Sequence, residues 1–323
     1  MLYLLFKYGV YEWMVVTAGV IFAFAATLIF MKLLAGKLPH DQGRAFAVEG
    51  TLSKGKVRGV GIIFVFVYIA TALIFDGVDR EKLIYLFVIA FTMLTGYLDD
   101  RADKPWNEYV KGALDLFLAI VVAFTYLHCH GNTFMVMYPF SVSVTVPYWL
   151  AVILIVALVW CSINVTNCTD GVDGLSATLT IITLGSFAIV TGIAGSASEI
   201  TYIVFFITVL VAYLWYNANP SSMLMGDAGS RAMGMMIAIV SLLSGYPLLY
   251  IPFAIVMILD GGLGLLKVAL LRFLKIKILV NTRCPLHDQA RKVNEWSNTQ
   301  VVFRFAIIQT IINLPFIMMC KFN

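Results

Sequence analysis

Charged residues are scarce in this sequence, and their scarcity excludes a large soluble domain. Lys, Arg, Asp and Glu make up 12% of the 323 residues, whereas hydrophobic residues make up 61%. A soluble domain carries about 25% charged residues, so the composition predicts a polytopic, all-α membrane protein. The formal net charge of +4 does not indicate a nucleic-acid partner. The basic residues lie between apolar runs, where membrane topology and lipid headgroups explain them.

Several patterns that define other classes of protein are missing. The five cysteines are scattered, with no CxxC and no Cys/His spacing, which argues against a disulfide framework and against a zinc site. There is no Walker A motif, no GxGxxG after a strand and no GxSxG, so phosphate binding must use metal, helix ends and basic side chains. The first apolar run has no small-residue cleavage site, and we expect a retained helix. Without a repeat or a long linker, residues 1–323 are expected to form a single domain.

Ten apolar runs are long enough to cross a bilayer, which takes about 17–25 residues. They lie at 13–34, 59–76, 82–98, 109–127, 147–163, 174–194, 200–216, 231–247, 248–271 and 301–320. Ten spans would place both termini on one side of the membrane. The connections after odd-numbered spans hold most of the Lys and Arg, whereas those after even-numbered spans hold only Arg80 and Lys82. Because Lys/Arg excess marks cytoplasmic loops, the odd connections are predicted to be cytoplasmic and both termini extracytoplasmic.

Five short polar stretches lie in or beside these odd connections. They are SKGKVRGVG at 53–61, LDDRADK at 98–104, NVTNCTDGVDG at 164–174, NANPSSMLMGDAGS at 217–230 and TRCPLHDQARK at 282–292. Carboxylates persist at a membrane mainly where they bind ions or substrates. The topology therefore predicts that the five stretches converge on one cytoplasmic site.

Two segments depart from plain spanning helices. Phe134–Tyr138 and Ser141–Val146 flank Pro139 and partly alternate Ser or Thr with Val, which predicts a small extracytoplasmic β-hairpin. The ninth run continues to Val280, and Gly261, Gly262 and Gly264 lie in its middle. We therefore expect a broken ninth helix, with the bend at these glycines.

Adjacent carboxylates end the third span. Asp99 and Asp100 repel each other and lose hydration near the membrane, so a divalent cation, a lysine or a phosphate-bound metal must compensate for them. The alternative is an acidic pair that caps a helix end in solvent.

Amides and acids recur at every third residue in the next motif. Asn164, Asn167, Asp170 and Asp173 would be neighbours on a helix, and Gly171 would allow close approach of a ligand. Oxygen ligands without thiolates suit magnesium or manganese. The alternative is a polar turn with capping residues.

Three further features suit phosphate chemistry. Asp227 follows a turn and leads into the eighth run, so it is expected at a helix start, where free N–H groups favour phosphate. His287 can accept a proton or bind a phosphate oxygen. Lys54, Lys56 and Arg58 either serve membrane topology or hold an anionic substrate.

In this order and at these membrane positions, the stretches resemble the polyprenyl-phosphate N-acetylhexosamine-1-phosphate transferase superfamily. The likeness runs from Leu38 to Phe305, and within the superfamily it is greatest to the bacterial phospho-N-acetylmuramoyl-pentapeptide transferase family. The matching motifs are SKG at Ser53–Gly55, LDD at Leu98–Asp100, NCTDGVDGL at Asn167–Leu175, MGDAGS at Met225–Ser230, and PLH followed by VVFRF at Val301–Phe305. The resemblance implies ten transmembrane helices, an extracytoplasmic hairpin, a broken ninth helix and a homodimer.

The resemblance also implies roles for individual residues. The implied catalytic residues are Asp99, Asp100, Asp227 and His287, with Asp227 as the Mg²⁺ ligand. The implied substrate-binding residues are Lys54, Lys111, Asn167, Asp170, Gly171, Asp173, Asn217 and Leu224. The sequence departs from the family pattern at three places. The family's run of three histidines is reduced to His287, and its TPTMGG motif reads KVRGVG at Lys56–Gly61. The phenylalanine that stacks on uracil in the family is replaced by Leu224.

The implied reaction moves a phospho-sugar between two carriers. The donor would be UDP-N-acetylmuramoyl-pentapeptide, the acceptor undecaprenyl phosphate, and the products lipid I and UMP, made at the cytoplasmic face of a bacterial plasma membrane. Direct attack by the lipid phosphate and a covalent aspartyl-phosphate intermediate both remain open. One alternative is transfer of N-acetylglucosamine-1-phosphate or another sugar. A cation-coupled transporter, a second alternative, predicts acids near the membrane midplane and a repeat between halves, whereas these acids cluster near span ends.

Overall fold

The computed structural model describes residues 11–43, 53–102, 104, 106–137 and 141–322. These residues are mostly helical, with two small two-stranded sheets. The eight long helices of the first three-quarters of the chain are α1 Glu12–Leu34, α2 Gly61–Phe75, α3 Arg80–Arg101, α4 Glu108–His130, α5 Tyr148–Thr169, α6 Leu175–Ile193, α7 Ala197–Asn217 and α8 Gly226–Leu243. The rest comprises a short arm Pro247–Phe253, a long arm Ile255–Leu274, a loop helix Leu286–Lys292 and a C-terminal helix Asn298–Phe322.

Within the described residues, seven helices are long and apolar enough to cross a membrane, or eight if the two arms form one bent span. This confirms a multi-pass helical membrane protein. The other two predicted runs correspond to α2, an apolar helix of 15 residues, and to α8, whose start carries Asp227 and Arg231. Ten spans and the side of each terminus stay predictions, and residues 1–10 and 323 lie outside the described part.

Helix α8 forms the centre of the bundle. Nearly all of its side chains are buried, and it packs against α2, α3, α5 and α6. Glycines permit this packing: a Cβ at Gly61 of α2 would overlap the backbone of Gly229, and one at Gly96 of α3 would lie 2.5 Å from the carbonyl of Asp227. Small residues at such crossings allow close helix contact in membranes. The acidic start of α8 is thereby held against the acidic end of α3.

An antiparallel pair of short strands lies in the two segments for which the hairpin was predicted. Strand β2 (Thr133–Met137) pairs with β3 (Ser141–Thr145), with Met135 opposite Ser143, and the amide of Met135 donates to the carbonyl of Gly245 after α8 (3.3 Å). The hairpin tip, including Tyr138 and Pro139, lies outside the described residues. Which side of the membrane the hairpin faces stays a prediction.

The ninth apolar run forms a bent pair of helices, but the bend lies at a different place from the one predicted. The two arms meet at a bend of 66° around Ala254, whereas the predicted glycines lie further along, beginning in a π-helical turn over Ile258–Gly262. The bend is stabilised from the C-terminal helix. The side-chain amide of Gln309 accepts from the amide of Val256 and donates to the carbonyl of Pro252, each at 2.9 Å. One distant side chain therefore replaces the backbone bond that the bend removes, which sequence spacing could not indicate.

Candidate active site

A short parallel strand pair fixes the first loop beside the start of α8. Strand β1 (Val57–Arg58) pairs with β4 (Met223–Leu224), with Arg58 opposite Leu224. The amide of Val60 also donates to the carbonyl of Leu224 (3.2 Å). The backbone of Leu224 thus helps to hold Arg58, and its side chain is half-buried.

The Arg58 guanidinium contacts three carboxylates. Its Nε and Nη2 lie 2.9 Å from Asp100 Oδ1, its Nη1 lies 3.1 Å from Asp41 Oδ1, and its Nη2 lies 3.6 Å from Asp227 Oδ1. Burial disfavours the guanidinium charge, but the three carboxylates outweigh it and raise the pKa of Arg58 above its ordinary value. Ser53 also donates to Asp41 (2.5 Å). Arg58 is therefore a fixed cation among acids.

The two acids that end α3 have separate partners. Asp99 pairs with Lys111 at the start of α4 and accepts from the Trp106 amide (2.7 Å). The side chain of Asp100 is fully enclosed, and besides Arg58 it accepts from the Ala228 amide (3.2 Å). This contact requires glycine at position 226, where φ is +67° and a Cβ would overlap the Asp100 carboxylate.

Asp227 lies between the two cations. Its Oδ2 is 3.6 Å from Lys111 Nζ, and its Oδ1 is 3.6 Å from Arg58 Nη2. Its side chain is 16% exposed, against 6% for Asp99 and 0% for Asp100. Asp227 is thus the most accessible carboxylate of the three, in the first turn of α8 as predicted.

A buried ion pair supports this cluster one helical turn further along both helices. Asp115 of α4 pairs with Arg231 of α8, and both side chains are almost fully enclosed. They lie four residues after Lys111 and Asp227, so each falls on the same helix face as its predecessor. The pair ties α4 to α8 directly behind the cluster.

The amide-and-acid motif does not form one helix face. Helix α5 ends at Thr169, so Asp170 and Asp173 lie beyond it, and the predicted helical spacing is wrong for these two residues. Asn167 remains on the helix and donates to Ser230 Oγ of α8 (2.8 Å). Asp173 accepts from the Ser221 amide (2.9 Å) and lies 3.4 Å from Lys56 Nζ. The chain leaves α5 at Asp170, whose ψ of 63° is not helical, and Gly174, with a positive φ of 81°, directly precedes α6.

Asn217 holds this turn from inside. Its side-chain oxygen accepts from the Gly174 amide (2.9 Å), and its nitrogen donates to the carbonyl of Met223 (2.8 Å). The buried amide therefore fixes the loop shape by backbone contacts. Lys54 is exposed, in the turn before β1.

His287 lies on the other side of the same turn. A Cβ at Gly171 would overlap its Nε2. Its Nδ1 lies 2.8 Å from Asp260 Oδ2, and its backbone amide donates to Asp260 Oδ1 (2.7 Å). The guanidinium of Arg291 contacts both Asp288 (2.6 Å) and the carbonyl of Gly171 (3.3 Å).

The structure thus brings residues from all five polar stretches to one end of the bundle. It also adds residues absent from the predicted site set: Asp41, Lys56, Arg58, Asp115 and Asp260. A signal existed for Asp115 and Asp260, since each is an acid inside a long apolar run, where ionisable residues mark functional sites by default. For Lys56 and Arg58 the sequence leaves two alternatives open, a topology signal and a cation that holds an anionic substrate. The role of Asp41 depends on a tertiary contact, and no sequence pattern indicates it.

The site can hold Mg²⁺ only together with other ligands. Among the residues that the structure describes, no three acids, histidines or cysteines form a group that could hold a metal ion. Mg²⁺ commonly keeps several waters and uses one or two carboxylates plus substrate phosphates. Asp227 and the nearby Asn167, whose side chain bonds to it, supply oxygen atoms of that kind. The residues present therefore fit such a site.

The fold and the site define a class: a polytopic helical membrane protein whose charged end can bind anionic phosphates. Residues 82–245, about half of the chain, match the model of glycosyl transferase family 4. The chain is 40% identical over 298 residues to a phospho-N-acetylmuramoyl-pentapeptide-transferase of Treponema pallidum (strain Nichols), covering 86% of the chain and 81% of that relative. A relative of the same name in Nitratiruptor sp. is 25% identical, over 97% of the chain and 96% of its own length. Another, in Staphylococcus carnosus, is 28% identical, over 91% of the chain and 97% of its own length. The chain belongs to the phospho-N-acetylmuramoyl-pentapeptide-transferase family.

Proposed function

We propose that the protein transfers phospho-N-acetylmuramoyl-pentapeptide from its UDP-linked donor to undecaprenyl phosphate, forming lipid I and UMP. One observation carries the proposal: Arg58 and Lys111 alternate with Asp99, Asp100 and Asp227 where three apolar helices end or begin. A lipid phosphate and a nucleotide diphosphate are both anions, and they must approach each other at a membrane surface. Fixed cations at that surface would offset their repulsion.

The two acids of α3 orient the cations. Asp100 is enclosed and bonded through both oxygens, so it would hold Arg58 and the start of α8. Asp99 would likewise aim Lys111 at the reacting phosphates. In this arrangement the acids set the positions of the groups that meet the substrate, and neither needs to take a proton.

Asp227, the most exposed acid, would hold Mg²⁺ with Asn167 nearby. Bound there, the ion would neutralise charge on the donor diphosphate and on the leaving UMP. The Lys56–Asp173 turn and Leu224 would border the nucleotide, with Lys54 at its edge. Asp170 and Gly171 would line the same pocket, and Asn217 would hold its shape from behind.

In the transfer, an oxygen of undecaprenyl phosphate forms a bond to the sugar-bearing phosphorus. The bond from that phosphorus to the UMP oxygen breaks, and UMP leaves with the electron pair. A covalent route would use an aspartate as the first attacking group. Rapid mixing of enzyme and donor separates the two routes: UMP released without lipid supports the covalent route, and its absence supports direct attack.

The proposed topology has ten spans, with the hairpin and both termini outside and the charged site facing the cytoplasm. The excess of Lys and Arg in the odd connections supports it. The proposed assembly is a homodimer, on the family resemblance alone. Cysteine labelling from either side of the membrane at Lys37→Cys and at Ser143→Cys tests the orientation. Labelling of both positions from the same side would refute it.

The function is tested by UMP release from purified protein in detergent with undecaprenyl phosphate and magnesium. Two donors are compared, UDP-N-acetylmuramoyl-pentapeptide and UDP-N-acetylglucosamine. We expect turnover of the pentapeptide donor alone. Turnover of UDP-N-acetylglucosamine alone would support the same class of reaction with a different substrate. No UMP release with either donor, from folded protein, would refute the function.

A further inference from the structure

The long arm contains a single acid, and that acid is completely enclosed. Asp260 lies in the π-helical turn Ile258–Gly262 and is 0% exposed. A carboxylate within an apolar segment is unstable unless its oxygens are bonded. Both Asp260 oxygens contact His287, one at the backbone amide (2.7 Å) and one at ring Nδ1 (2.8 Å). Asp260 therefore uses both of its carboxylate oxygens to contact His287.

Contact at two points fixes both the chain and the ring. The amide of His287 lies at the start of the loop helix, where backbone N–H groups have no acceptor within the helix. The ring nitrogen that faces a carboxylate carries the proton in a neutral imidazole, so Nδ1 is the donor and Nε2 is left as an acceptor. His287 is itself only 2% exposed, so the ring has little freedom to turn away.

The free ring nitrogen faces the loop of the nucleotide motif. A Cβ at Gly171 would overlap Nε2, so it is glycine at this position that lets the ring nitrogen lie directly against the backbone of the loop. On that side the Oδ1 of Asp288 is 3.7 Å from Nε2. Asp288 is itself held by Arg291 (2.6 Å), which also contacts the Gly171 carbonyl.

We propose that Asp260 is a positioning residue that keeps His287 in its Nδ1–H form and directs Nε2 at the donor beside Gly171. The inference rests on the proposed transfer reaction and adds to it a residue from outside the polar stretches. The neutral ring would accept a hydrogen bond at Nε2, and the protonated ring would donate one to a phosphate oxygen. The buried carboxylate supports both forms, since it faces Nδ1–H in each.

The tautomer can be measured directly, without an activity assay. The chain has only four histidines, so ¹⁵N-histidine labelling gives a simple spectrum, and His287→Asn identifies the wanted signals by their loss. We expect the neutral ring to show a protonated Nδ1 and an unprotonated Nε2. In Asp260→Asn the new amide nitrogen can donate to Nδ1, which moves the proton to Nε2. A wild-type spectrum with the proton on Nε2 would refute the proposal.

Kinetics then separate positioning from simple structural support. Asp260→Asn should lower kcat/KM for the donor by about 10- to 100-fold, as loss of an orienting partner does at metal-bound histidines. In a His287→Asn background it should have no further effect, because the two residues act as one unit. A loss of equal size in both backgrounds would contradict the proposal.

The matched control is Asp76→Asn. Asp76 is another buried acid, paired with Lys82 (3.2 Å) in the connection at the opposite end of the bundle. The Asp76→Asn variant should have a lower thermal stability, with the tautomer of His287 and the donor kinetics unchanged. If Asp260→Asn does not fold, the wild-type spectrum decides. If the folded wild type turns over neither donor, the proposed function fails while the tautomer test still stands.

Discussion

The substitution Arg58→Lys tests whether Arg58 positions the site or serves only membrane topology. If Arg58 served only membrane topology, lysine would replace it without effect, because both residues carry the same charge. The structure gives a different expectation. Three nitrogens of Arg58 reach Asp100 and Asp41 at 2.9–3.1 Å, whereas the single ammonium of lysine cannot match this planar fork.

The expected magnitude follows from the bonds that lysine would lose. If the ammonium stays with buried Asp100, the bond to Asp41 and the contact near Asp227 are given up. A hydrogen bond to a charged group contributes about 1.5–3 kcal/mol. Since 1.36 kcal/mol is a tenfold change in rate, a loss of this size in the transition state lowers kcat/KM by about 10- to 150-fold. A loss of about 1.5–3 kcal/mol in the free energy of unfolding is expected as well.

The assay is UMP release at varied donor concentration, with the thermal unfolding midpoint in the same detergent. Lys37→Arg is the control, since Lys37 is an exposed cation at the end of the first span, and it should behave like the wild type. Asp41→Asn should reproduce part of the Arg58→Lys defect. Wild-type kcat/KM and an unchanged midpoint in Arg58→Lys would refute the positioning role and favour the topology role.

Three further substitutions have defined outcomes. Asp227→Asn should abolish UMP release while the thermal midpoint is kept; retained turnover would remove the proposed Mg²⁺ ligand. Gly226→Ala should lower both activity and the midpoint, because its Cβ overlaps the Asp100 carboxylate and its φ is positive, and a neutral outcome would argue against this tight contact. Gln309→Leu should destabilise the fold by about 1–3 kcal/mol for each unpaired group at the bend. An unchanged midpoint relative to a variant on the exposed face of the same helix would show that the bend does not need this amide.

Local patterns in the sequence predicted what depends on local physics. Apolar length predicted where helices run, and alternation around Pro139 predicted the β2–β3 pair. The position of polar stretches after odd-numbered runs predicted that they meet at one end, as the Lys56–Asp173 and Arg58–Asp100 contacts show. The start of α8 at Asp227 followed from the preceding turn.

What the sequence could not predict depends on partners far apart in the chain. The bend lies at Ala254 and not at the predicted glycines. Gln309, on another helix, bonds the backbone groups of Pro252 and Val256 beside the bend. The spacing of Asn167 and Asp170 predicted one helix face, but α5 ends between them. Assigning Asp260 to His287 requires that a buried turn and a loop helix meet, which neither segment reveals by itself.

The enclosure of α8 has a consequence for how the protein is made. The first two turns of this helix carry Asp227 and Arg231, and charged residues are unfavourable in a segment that enters lipid alone. Most of the helices that it packs against, including α2, α3, α5 and α6, precede it in the chain and are therefore synthesised first. When α8 leaves the insertion machinery, its polar start can meet a partner surface of protein instead of lipid. Circular permutation that makes α8 emerge before those helices should reduce the yield of inserted protein, even though the finished fold would contain the same contacts.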